Sequence, residues 1–140
     1  MSKETLIQEV EEYRNRAPGW DGYEARSISE DAIEDVQRFI VLLPDTIEPP
    51  RSQPCSDGEV SLVWRKGKRF AEVSFPGNGT FYWYATDGER IGSDEDVPIR
   101  RGLPLHLQDI VGLRPVNHAK PPSSMPPVRY GAMAYVSASR

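Results

Sequence analysis

The chain is poor in the residues that usually announce chemistry. It has one cysteine, Cys55, and two histidines, His106 and His118. A lone cysteine rules out an internal disulfide and suits a reducing compartment, so the expected location is the cytoplasm. Neither histidine stands at a spacing from cysteines or carboxylates that would build a zinc site. Cys55 has no neighbouring signature of a nucleophile. No glycine-rich loop is set to cradle phosphate, and no apolar run approaches the roughly 18 residues of a membrane span. The opening Met1-Ser2-Lys3-Glu4 leads into an acidic amphipathic stretch, where a secretory signal would be basic and then apolar. No cofactor, metal or membrane contact is expected, and the reading leans against an enzyme.

Acid is missing from the end of the chain. All 21 acidic residues lie at or before Asp109, with 13 of the 17 basic ones, a net −8. After it come Arg114, Lys120, Arg129 and Arg140 and no acid, a net +4. An acidic body disfavours nucleic acid, whose affinity is dominated by phosphate neutralisation, and the basic end is too dilute to reverse that.

What is present reads as one α+β domain over residues 1–113, followed by a proline-rich, flexible tail over 114–140. Leu6, Ile7, Val10 and Tyr13 form one apolar stripe of a first helix from Lys3 to Asn15, stopped by Pro18-Gly19. Ser29 caps a second helix whose first turn carries Glu30 and Asp31, where the helix dipole favours negative charge. Ile28 and Ile33 have the spacing of a hydrophobic staple. Ala32, Ile33, Val36, Phe39, Ile40 and Leu43 line its apolar face, and Pro44 ends it. From Ile47 to Pro54 the prolines impose an extended connector.

Three alternating segments follow, Glu59 to Arg65, Phe70 to Phe75 and Thr80 to Thr86, joined by short turns. They predict an antiparallel meander with Leu62, Val73 and Trp83 in one cross-strand row facing the helices. Glu89 to Gly92 adds a short fourth strand at most. A short helix is expected from Pro104 towards Leu113. The predicted fold is thus two N-terminal helices packed on a three- or four-stranded antiparallel meander, a short C-terminal helix and the tail. Within that tail, Tyr130-Gly131-Ala132-Met133-Ala134-Tyr135-Val136 has the makings of a strand that docks on a sheet edge.

Two motifs carry a resemblance. Trp20-Asp21-Gly22-Tyr23 with Ala25, then the helix ending Leu42-Leu43-Pro44, then Asp57-Gly58-Glu59-Val60-Ser61-Leu62-Val63-Trp64 resemble a family of small bacterial proteins with a Trp-Asp-Gly-Tyr-Gly-Ala type motif. The likeness covers roughly residues 14–113, and Glu24 stands where the usual pattern has glycine. It implies accessory cargo of variable or mobile regions: defence, counter-defence, antitoxin or immunity roles. It supplies no catalytic residue.

The candidate surfaces are three. Trp20, Asp21 and Tyr23 form either a recognition loop or, the preferred reading, a structural plug with Asp21 satisfying the turn. Val63, Phe70, Tyr82 and Tyr84 make a second, aromatic-rich sheet face, with Glu72 and Ser74 between them. That face is covered within the chain, forms a homodimer seam or receives a protein partner. Asp94, Glu95 and Asp96 form an acidic loop suited to a basic partner. The leading function is a non-enzymatic protein-interaction module. One alternative is an enzyme or small-ligand site between the Trp20 loop and the sheet, using Asp21, Glu59, Glu72 and Tyr84. The other is nucleic-acid binding through the basic hairpin tip Arg65, Lys66, Lys68 and Arg69.

Overall fold

The computed structural model describes residues 2–23 and 25–113. The expected tail, His118 and the strand-like segment at 130–136 lie outside the described residues. Helix α1 spans Lys3–Glu11 and tightens into a 3₁₀ turn at Glu12–Asn15. Ser2 caps it, its hydroxyl accepting from the Thr5 amide at 3.1 Å. Helix α2 spans Glu30–Leu42, and Ser29 is its cap, accepting from the Ala32 amide at 3.1 Å. Both staple residues, Ile28 and Ile33, are buried.

Five strands form one antiparallel sheet in the order β1-β2-β3-β4-β5: Arg51–Pro54, Val60–Lys66, Arg69–Phe75, Thr80–Thr86 and Ile91–Pro98. The expected register holds. Leu62 pairs with Val73, and Val73 with Trp83. The expected strand count was too small at both edges. The connector contributes β1, which tolerates Pro54 because an edge strand leaves backbone amides without ladder partners. At the other edge the fourth predicted strand is a full β5, running through the acidic residues to Pro98. Its register slips between Phe81 and Trp83, and Asp96 takes a positive φ there. An irregular, charged edge of this kind resists pairing with further strands.

The short helix expected from Pro104 towards Leu113 is present. This third helix, α3 (Leu105–Val111), joins α1 and α2 on the same side of the sheet, burying Leu107, Ile110 and Val111 in the common core. Phe39 of α2 stands at the centre, edge-on to Phe75 at 5.1 Å and Phe81 at 5.0 Å. Such aromatic pairs add roughly 1 kcal/mol each beyond the area they bury.

The β3–β4 turn is clamped to α2. A Cβ on Gly77, at φ +96°, would meet the Ser29 hydroxyl at 2.9 Å and the Ala32 amide at 3.0 Å. One turn further on, the buried Asp35 carboxylate accepts from the Gly79 amide at 2.8 Å and from Arg38. No helix among the described residues is long and apolar enough to cross a membrane.

Candidate functional site

The two motifs singled out in the sequence meet in space. The Arg26 amide donates to the Ser56 carbonyl at 2.8 Å, and the Ser29 amide to the Gly58 carbonyl at 2.9 Å. Gly58, at φ +92°, lets this segment lie close, since a Cβ there would press the Ser27 carbonyl at 3.0 Å. The loop itself closes through the Gly19 amide and the Ala25 carbonyl at 2.7 Å.

Within that loop the three predicted residues divide. Trp20 packs against the core, donates its indole N–H to the Arg26 carbonyl at 2.8 Å and lies under the Arg16 guanidinium. Asp21 accepts from the Tyr23 amide at 2.8 Å, a local turn bond. Tyr23 projects, 83% exposed. Trp20 and Asp21 are thus occupied in shaping the turn.

The sheet face away from the helices is a different environment. Cross-strand pairing places Val63 beside Glu72, Glu72 beside Tyr84, and Phe70 beside Thr86, which pairs with Ile91. Phe70 and Tyr84 rings stand 6.4 Å apart, and Arg65 lies over Phe70 at 4.7 Å. Tyr82 is 40% exposed, Tyr84 41% and Ile91 65%. Ile91 was missed in the sequence because it falls where the strand was expected to be short. Deeper in this face, the buried Ser61 and Ser74 hydroxyls bond at 2.9 Å, with the Cys55 thiol 3.5 Å from Ser61. Burial raises the Cys55 thiol above its ordinary value, which keeps it protonated and a poor nucleophile.

Tyr82 donates to the Glu59 carboxylate at 2.6 Å. Desolvation, then this bond and the carboxylate charge, push its phenol up to about 12. Beyond it lies a groove of about 440 Å³, lined by Pro76, Thr80, Tyr82, Tyr84, Ser93 and the acidic run Asp94, Glu95, Asp96, with Trp83. The structure therefore joins two surfaces that the sequence offered separately, the aromatic face and the acidic loop. Of the alternative ligand set, only Tyr84 lines this groove; Asp21, Glu59 and Glu72 do not.

Two of the four basic residues at the hairpin tip are engaged within the chain. Lys66 pairs with Glu48 at 2.8 Å, and Arg65 is held over Phe70. His106 packs edge-on to Trp83 at 5.9 Å as part of the α3 contact. No group of three or more His, Cys, Asp or Glu is placed to hold a metal among the described residues.

One apolar patch escaped the sequence reading. Val41 is 61% exposed and borders a groove of about 450 Å³ with Leu42, Pro98 and Ile99, flanked by Arg38 and Arg100. The signal was there: Val41 and Leu42 fall off the apolar stripe of α2, and neither is polar.

Fold and site together define an α+β protein with helices on one face of a five-stranded meander and an aromatic, acid-edged face opposite. Comparisons with models of known families, with curated proteins and with solved structures found no match.

Proposed function

We propose that the chain is a non-enzymatic protein-interaction module that receives a partner with a basic surface on the outer face of its sheet. The observation that carries this is the groove in which Tyr82 and Tyr84 meet Asp94, Glu95 and Asp96. Aromatic rings give contact area at low conformational cost, and flanking carboxylates steer and orient a cationic partner. The net −8 of the body through Asp109 extends that steering field. Such a surface suits a protein that masks a basic site on a nuclease, a toxin or a nucleic-acid-binding assembly, in keeping with the accessory roles implied by the sequence resemblance.

The test is affinity capture with three full-length baits: wild type, Tyr84→Ser with Glu95→Lys, and Val41→Ser with Leu42→Ser. A partner held by wild type and the third bait but lost from the second supports the reading. A partner retained by the outer-face variant, or lost only with Val41 and Leu42, moves the interface to the α2 groove.

A further inference from the structure

The chain carries both halves of one contact. The groove over β4 and β5 is edged by Asp94, Glu95 and Asp96 beside Tyr82 and Tyr84, and no basic residue lines it. The groove beside α2 has the opposite character: Arg38 and Arg100 are its charged residues, and no acid lines it. With those arginines stand the apolar Val41 and Leu42, 61% and 47% exposed and outside the core. We infer that the two surfaces are partners on two copies of this chain, resting on the outer face as the docking surface proposed above. The Arg38, Val41 and Leu42 side of α2, with Arg100, enters the acid-edged groove of a second copy, and the contact is reciprocal in a closed dimer.

The α2 surface is built to project. Arg38, Val41 and Leu42 stand at i, i+3 and i+4, so one side of the last turns presents them together. The Arg38 guanidinium pairs with the buried Asp35 through Nη2, which holds the side chain in place while most of it stays exposed. A guanidinium carries five donors, so others remain for a carboxylate of the second copy. A cation already held in position loses less conformational freedom on binding. Across the contact, the tyrosine rings offer apolar area to Val41 and Leu42, and the carboxylates face the arginines.

Placement decides the symmetry. Thr80 lines the acidic groove, the preceding Gly79 lines the arginine-flanked one, and Thr80 pairs with Pro98 of the latter. The two surfaces therefore adjoin at the shared end of β4 and β5. In a two-fold contact residue i meets j and j meets i, so adjoining complementary surfaces meet twice within one interface. The doubling enlarges the area beyond what either pair alone would bury. Complementary surfaces set far apart would instead propagate into a filament.

Sedimentation velocity of the full chain, from low micromolar to submillimolar concentration, tests this with two charge reversals, Glu95→Arg and Arg100→Glu. Wild type is expected to approach twice the 15.8 kDa of one chain as concentration rises. Each reversal alone should weaken the dimer about tenfold or more, by placing like charges opposite one another. An equimolar mixture of the two variants should recover it. In that mixed dimer one contact is native and the other has both charges exchanged, so recovery also shows that each variant is folded. A wild type that stays monomeric, grows beyond a dimer, or dimerises regardless of both reversals overturns the inference, as does a mixture that fails to recover. Partner capture by the outer face is scored separately: a monomeric wild type whose captured partner is still lost with Tyr84→Ser and Glu95→Lys overturns the dimer alone.

Discussion

At the level of single residues, the informative contrasts are between side chains of one type. Trp64 donates its indole N–H to the Glu48 carbonyl at 2.8 Å, whereas the buried Trp83 N–H has no partner among the described residues. Replacing each by phenylalanine removes similar volume but leaves an orphaned carbonyl only at Trp64. Trp64→Phe should therefore cost about 1 kcal/mol more than Trp83→Phe in urea unfolding. Equal losses would mean that Trp64's bond contributes nothing.

Tyr82 offers a titration. Its folded value of about 12 lies above the ordinary phenol near 10. Raised in the fold, it contributes stability that is complete below about pH 10 and fades as the pH climbs through about 12. Spectrophotometric titration should show one late tyrosine, and Glu59→Gln should bring it earlier by removing the carboxylate. An unchanged titration curve would place Tyr82 elsewhere. Trp20 was legible as structural because glycines on both sides signalled a built turn. The Tyr82–Glu59 pair was not, because the bond joins β4 to the start of β2, and no local pattern reports such pairs.

At the scale of elements, α2 organises the molecule. Its cap, its stripe and its stop were all readable, since each depends on residues a few positions apart. The clamp that ties it to the β3–β4 turn was hidden. Asp35 looked like one more charge on a helix, yet it is buried and holds the Gly79 amide. Asp35→Ala should destabilise the protein by about 2 kcal/mol, the cost of an unpaired buried amide and a lost ionic bond. A loss under 0.5 kcal/mol, roughly the effect of a neutral surface change, would contradict the clamp. The edge strands were misjudged for a similar reason. Prolines around Arg51–Pro54 argue against a central strand, but an edge needs fewer ladder bonds.

Acid sensitivity arises within the β4–β5 turn and where α1 meets α2. The Arg90 side chain, then the Glu89 and Arg90 amides, hold Asp87 well below the usual carboxylate range. Gln37, then Arg14, lower Glu11. Both carboxyls are depressed in the fold. Their contribution is present above the unfolded value near 4 and is lost as the pH falls through their folded values. The urea midpoint should decline below about pH 4, and less steeply in Asp87→Asn. An identical acid limb in that variant would show the contact to be inert.

For the whole molecule, the two faces of one sheet are different environments. The inner face, with Leu62, Val73 and Trp83 in register, was legible because period-two alternation over three consecutive strands fixes which side is apolar. The outer face was legible in part: its aromatics alternate on the same strands, but their meeting with Asp94, Glu95 and Asp96 depends on an edge irregularity that no motif announces. Inner and outer substitutions should separate cleanly. Val73→Ala should cost about 2 kcal/mol, whereas Tyr84→Ser with Ile91→Ser should cost no more than about 1 kcal/mol.

Covalent footprinting of a captured complex against the free chain tests the proposed recognition surface most directly. The account predicts that labelling of Tyr82, Tyr84 and the carboxylates of Asp94, Glu95 and Asp96 falls on partner binding, while Tyr23 labels equally in both states. Protection centred on Tyr23, or on the α2 groove at Val41, with the outer sheet face labelling unchanged, would contradict it.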